Sequence, residues 1–248
     1  MNTLARPPGP QGRAVSYFQS GEALRSRSVG TVVHSARLDV PMPSARLLAH
    51  WEREASQDLA LELGDVEVLR LARARMCWPD YRRCVHAASD WTHSLGLPGT
   101  LDDDEVALMA CRGAKYHHDG AHYGAVAFCN LFLSEDAGLD LHFPQTGHRI
   151  PLARGTAVLF DPSQPHGVIV RSRPGFEAAE FPAGQDCLQV FLTWEVPIER
   201  LAVAQALGVE LDIDPLTSGL LDEAQVWVNG RLSKVSPESG AWRLTGPE

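Results

Sequence analysis

From Val106 to Trp194 the sequence falls into seven short runs rich in apolar, β-branched and aromatic residues: VALMACR, AVAFCNLFL, LDLHF, HRIPL, TAVLF, GVIVR and CLQVFLTW. Gly, Pro and Asp separate them, and no segment between them is long enough for a helix. Such a chain has to pair its strands with near neighbours and close them into a sandwich or barrel. The flanks read differently. Ser44 stands where it caps a helix through ARLLAHWEREASQDLALEL, with Leu47, Leu48, Trp51 and Ala55 at three-to-four spacing and Gly64 at the end. A second helix is expected from Val66 to about Ser89, interrupted at Pro79. After Pro197, IERLAVAQALG gives a short amphipathic helix. The expected architecture is mainly β with flanking helices, an α+β arrangement. It has a flexible Pro- and Gly-rich arm over 1–15 and a single domain over 16–248, with helical support over about 43–100, a β core over about 106–197 and a helical or irregular tail.

Charge and cysteine usage narrow the function classes. A net charge of -9 gives a field that repels nucleic-acid phosphate and anionic membrane surfaces, which disfavours both as partners. Cys77, Cys84, Cys111, Cys129 and Cys187 are odd in number and include no Cys-x-x-Cys spacing, so neither a disulfide framework nor a zinc knuckle is expected. No apolar run approaches the roughly 20 residues a membrane span needs, and the N-terminus lacks the apolar stretch of a signal peptide. A cytoplasmic protein acting on a small molecule is the expectation. The sequence leaves the oligomeric state open.

The chain holds two His-x-acid tripeptides. His50-Trp51-Glu52 falls in the expected first helix, where residues two apart point away from each other. His117-His118-Asp119 precedes the run AVAFCNLFL. In extended chain, residues i and i+2 share a face, so His117 and Asp119 are expected to converge while His118 faces the other way. His166 follows the run TAVLF and the turn DPSQP, which Asp161 opens, and a sandwich can return it beside the first pair. Two imidazoles and a carboxylate on one face of an octahedron leave three positions open, the arrangement of non-heme Fe(II) sites.

These residues, with Gly138-Leu139-Asp140-Leu141, the approach Pro151 to Phe160 and His166-Gly167-Val168, resemble the Fe(II)/2-oxoglutarate-dependent dioxygenases with a double-stranded β-helix, or jelly-roll and cupin-like, core. The resemblance implies iron held by His117, Asp119 and His166, with 2-oxoglutarate and dioxygen as cosubstrates. Succinate and CO2 would be co-products, and a small-molecule or amino-acid-like substrate would be hydroxylated. It also implies a basic anchor for the far carboxylate of 2-oxoglutarate, for which an Arg on the strand after the second His is usual. That strand, CLQVFLTW, contains neither Arg nor Lys. Arg171, Lys115 and Asn130 are the candidates in its place, with Gln189 as a further amide. Two alternatives share the ligands: a cupin-like isomerase or sensor, and an iron oxygenase that uses no 2-oxoglutarate. His118, His122, Tyr116, Tyr123 and Trp194 are candidates to line a pocket, and His142 and His148 are expected to be structural.

Overall fold

The computed structural model describes residues 13–101, 106–181 and 187–245. Most of the expected N-terminal arm lies outside them, and its last two positions, Ala14 and Val15, already belong to a strand. The chain begins as a hairpin of β1 (Ala14–Ser20) and β2 (Ala23–Ser28), followed by β3 (His34–Arg37). Helix α1 (Ala45–Arg53) is capped as expected, the Ser44 hydroxyl accepting from the Leu47 N–H at 3.3 Å. It stops at Asp58 after one π-helical turn, short of the expected Gly64. There Glu54 is buried and its carboxylate accepts the Arg70 N–H at 2.8 Å, which anchors the returning chain against the helix. Val66–Leu69, expected as helix, is strand β4. Its β-branched Val66 and Val68 alternate with Glu67, and its backbone pairs with β5 as the edge of the sheet, with Leu69 the buried residue. Pro79 does interrupt the helix that follows: α2 (Leu71–Cys77) ends before it and α3 (Tyr81–Ser94) begins after it.

The next eight strands are β5 (Val106–Cys111), β6 (Ala114–His117), β7 (Val126–Phe132), β8 (Leu139–Phe143), β9 (His148–Pro151), β10 (Thr156–Phe160), β11 (His166–Val170) and β12 (Gln189–Pro197), with the one-turn helix α4 (Gly120–Tyr123) after β6. They divide between two antiparallel sheets, ordered β3-β10-β7-β12-β5-β4 and β6-β11-β8-β9. Apart from the β8–β9 hairpin, successive strands cross from one sheet to the other, which is the jelly-roll winding. The expected core strands are present, and one more, β6, carries the start of the His-x-Asp motif. The outer face of the larger sheet buries Leu108, Cys129, Leu131, Leu159, Leu192 and Trp194 against Trp51, Trp91 and the other helix residues. Its inner face meets the smaller sheet across Phe132, Leu141, Phe143, Phe160, Val168 and Phe191.

The tail continues with α5 (Leu201–Leu207), as expected, then α6 (Pro215–Ser218) and the strands β13 (Gln225–Val228), β14 (Arg231–Val235) and β15 (Trp242–Leu244). These join the N-terminal hairpin in a third sheet, β15-β14-β13-β1-β2, so the two chain ends form one layer against α4. Gly120 makes that approach possible. A Cβ there would sit 2.5 Å from Val226 and 2.7 Å from the Ser163 hydroxyl. No helix among the described residues is long and apolar enough to cross a membrane.

Candidate metal centre

The end of β6 and the start of β11 lie side by side, with His117 opposite His166 in register. Their rings are 4.4 Å apart. Asp119 reaches the same point by a different route from the one expected. The chain has left the strand there (φ -106°, ψ 10°), and the turn into α4, pinned by the Asp119 N–H donating to the Pro162 carbonyl at 2.8 Å, aims its carboxylate. Asp119 Oδ2 is 3.6 Å from His117 Nε2 and 3.5 Å from His166 Nε2, and one ligand atom from each residue falls within 4.8 Å of the others.

The opposite ring nitrogens fix the tautomers. His117 Nδ1 is 2.7 Å from the Lys115 carbonyl and His166 Nδ1 is 2.9 Å from the Gln164 carbonyl. A carbonyl only accepts, so each Nδ1 carries the proton and each Nε2 presents a lone pair towards Asp119. Two lone pairs and a carboxylate facing one point are mutually repulsive until a cation lies between them. The donor set therefore fits a divalent transition metal, and a carbonyl partner behind each imidazole is what metal-ligating histidines ordinarily have.

The titration behaviour follows. Burial, reinforced by the neighbouring His117, pushes the His166 imidazole down to about 4. Burial works against the charge on His117 as well, but the adjacent Asp119 outweighs it and holds that imidazole above its ordinary range. For Asp119, burial favours the neutral acid, and the two histidines overcome it to keep the carboxyl below its ordinary value. One proton thus sits on His117 as pH falls and has to leave when metal binds. Metal affinity should be flat above the raised His117 value and fall about tenfold per pH unit below it, with His166 adding a second proton only near about 4. A Co(II) titration series from about pH 8 to about pH 5 reads this directly. A flat series would mean that His117 is not a ligand.

The loop that delivers His166 is built on a buried ion pair. Arg27 from β2 donates to both Asp161 oxygens, at 2.6 and 2.9 Å, and also to the Ser163 hydroxyl and the Gly124 and Ser28 carbonyls. Asp161 additionally accepts the Gly30 and Ser163 N–H groups, so it does shape the DPSQP turn.

A cavity of about 350 Å³ between the sheets opens onto the three residues. Its walls are mainly apolar, with Phe132, Phe160, Phe191 and Val168 among them. The polar additions are the Asn130–Thr193 pair, in which Thr193 donates to Asn130 Oδ1 at 2.5 Å, and Tyr123 and Glu195.

No protein-family model matches the chain, and no curated protein does. Among solved structures, it is similar to a viral collagen prolyl hydroxylase from Paramecium Bursaria Chlorella virus-1, at 11% identity and a TM-score of 0.35 over 67% of this chain and 90% of that one. It is also similar to EvdO2 from Micromonospora carbonacea var. aurantiaca, solved in complex with 2-oxoglutarate, at 15% identity and a TM-score of 0.36 over 68% and 92%. Scores of this size leave the chemistry to be read from the residues of this chain.

The structure brings His117, Asp119 and His166 together and places Asn130 on the cavity wall. Arg171 and Lys115 are elsewhere. Arg171 is bound to Asp136 at 2.8 Å and to Asp140 at 2.7 Å on the outer side of the smaller sheet, as strand alternation opposite His166 dictates. Lys115 has the parity of His117, but the pairing of β6 with β11 shifts register between His117 and Ala114, and its ammonium lies out at the surface, 3.6 Å from Asp65. Gln189 is buried, its Nε2 directed to backbone carbonyls of Glu135 and Leu188. His118 points away from the triad to stack on Trp242 at 5.1 Å, and His142 bonds the Tyr116 hydroxyl at 2.5 Å. Trp194 faces the helices and Tyr123 the cavity. The wall residues Phe191, Thr193 and Glu195 escaped the sequence reading, although alternation along β12 from Gln189 puts them on one face. Arg27 gave no sequence signal, since beside Arg25 in the polar strand ALRSRS it looks like any exposed arginine.

Proposed function

We propose that this chain is a mononuclear non-heme Fe(II) oxygenase whose metal is held by His117, Asp119 and His166 and which hydroxylates a small organic molecule. The supporting observation is the convergence of two Nε2 lone pairs and a carboxylate oxygen within 4.8 Å, with both Nδ1 atoms committed to carbonyls. Three protein ligands on one face of the metal leave room for an organic ligand and dioxygen. Fe(II) held there would supply the activation of dioxygen needed to attack an unreactive C–H bond.

The chain's own residues do the rest. The register of β6 and β11 sets the imidazole spacing, and the Arg27–Asp161 pair holds the loop before His166. Phe160, with its ring 5.1 Å from that of His166, and Phe143 exclude water from behind the ligand. The apolar cavity presents a hydrocarbon portion of the substrate to the metal, while Tyr123 and Glu195 offer polar contacts on its wall.

The 2-oxoglutarate implied by the sequence resemblance fits in part. The triad suits its chelating end, but among the described residues no Lys or Arg lines the cavity to receive its far carboxylate. That observation favours, as the second reading, an iron oxygenase that uses no 2-oxoglutarate. The test is an anaerobic Fe(II) titration followed by dioxygen-uptake measurements with and without 2-oxo acids. One Fe(II) per chain and uptake above that of free iron are expected. One iron per chain without any uptake would move the reading to a cupin-like isomerase or sensor, and no stoichiometric iron would end it.

A further inference from the structure

We infer that the cavity takes a chelating ligand charged only at its metal end and apolar at the other, so that a 2-oxo acid with a hydrocarbon tail suits it better than 2-oxoglutarate. This rests on the oxygenase reading above and narrows it.

The argument begins with charge. Asp119 brings one negative charge to a divalent metal, and the head carboxylate of a 2-oxo acid brings the second, so the centre is neutral once a monocarboxylate has chelated. A second carboxylate carried into the cavity needs a cation of its own, because an unpaired charge in an apolar site is strongly disfavoured. None is at hand. The nearest basic residue in sequence to the triad, Lys115, faces outward beside Asp65, and Arg171 is held by Asp136 and Asp140. Neither internal segment outside the described residues, 102–105 or 182–186, contains Lys or Arg, and the N-terminal twelve residues contain one, Arg6.

The wall itself points the same way. On β12 the inward positions run Phe191, Thr193, Glu195, and the first packs on Phe132 with ring centroids 5.0 Å apart. The ionisable residue that β12 places on this wall, Glu195, is acidic. Asn130 and Thr193 are neutral, and Asn130 Oδ1 is already accepting from Thr193. Phe132, Phe160, Val168 and Leu141 complete a lining that a branched or aryl tail can cover and a hydrated carboxylate cannot.

The experiment uses the full chain loaded anaerobically with Fe(II), after its metal content has been measured. It is titrated separately with 4-methyl-2-oxopentanoate and with 2-oxoglutarate, following the weak visible charge-transfer band that forms when a 2-oxo acid chelates iron. Half-saturation with the hydrocarbon-tailed acid is expected at a concentration about 10- to 100-fold lower. Equal or tighter binding of 2-oxoglutarate overturns the inference and leaves the oxygenase reading standing. Bound iron with no band from either acid overturns the inference and favours an oxygenase that needs no 2-oxo acid. Failure to bind iron overturns both.

Phe191→Arg should reverse the order of the two acids by placing a guanidinium on the wall, with circular dichroism and iron content showing that the variant is folded and loaded. A folded, loaded variant with the original preference overturns the placement of the tail along β12. Thr193→Lys, at a half-buried position on the same wall, repeats the test if Phe191→Arg does not fold.

Discussion

Arg27→Met is expected to cost the fold about 3–5 kcal/mol, measured by denaturant unfolding of the metal-free protein. Both partners of the Arg27–Asp161 pair are 0% exposed. Removing the guanidinium leaves a buried carboxylate with the Gly30 and Ser163 N–H groups as its remaining partners, takes the donor from the Gly124 carbonyl, and leaves the Ser163 hydroxyl only its bond to Ser16. The loss should be larger than that of an apolar truncation of the same volume, because the residual charge and not the missing contact dominates it. The double variant Arg27→Met/Asp161→Leu separates the two terms. With both charges gone it should recover much of the lost stability, yet metal affinity should remain reduced, since the loop delivering His166 has lost its tie to β2. A single variant that loses less than about 1 kcal/mol would show that water reaches the pair and that the site is less enclosed than its contacts imply.

The jelly roll was legible wherever a strand is buried on both faces. The runs around Phe132, Phe160 and Leu192 are continuous and apolar because both surfaces of the larger sheet are covered, one by the smaller sheet and the other by the helices. Some strands with a polar face were missed, although β9 was read from HRIPL. β6 has only Ala114 and Tyr116 buried, and β2, reading ALRSRS, hides its purpose in an Arg whose partner lies more than a hundred residues away. Val66–Leu69 was misread because VEVLRLARAR satisfies both a strand and a helix period, and pairing with β5 decides between them. The triad was found from spacing, but the expected reason for its convergence holds only for the pairing of β6 with β11. Asp119 is brought in by a turn, whose conformation depends on Pro162 from the distant loop. The cosubstrate candidates show the limit of reasoning by proximity in sequence: Arg171 is near the ligands along the chain but on the opposite face and bound to Asp136 and Asp140, and Lys115 shares the parity of His117 but is turned to Asp65 where the β6–β11 register shifts.

Asp119→Asn is expected to lower metal affinity by at least about 100-fold, and His166→Ala to abolish stoichiometric binding with the fold retained. The more telling readout for Asp119 is stability without metal. Above the raised His117 value, its carboxylate faces two imidazole lone pairs at 3.5 and 3.6 Å with no proton to share. An asparagine amide in the same place can donate to Nε2, so the metal-free variant should be at least as stable as the parent at about pH 8. Below the raised value the sign reverses. The folded protein then carries a protonated His117 that Asp119 stabilises, so the parent gains stability relative to the variant as pH falls. A carboxylate placed as a structural partner would behave differently at the higher pH, because its loss would already destabilise the metal-free protein at about pH 8. Denaturant unfolding of parent and variant in chelator, at about pH 8 and about pH 6, therefore distinguishes a carboxylate placed for a metal from one placed for a histidine. A variant destabilised at both pH values would identify Asp119 as a structural partner and remove it from the ligand set.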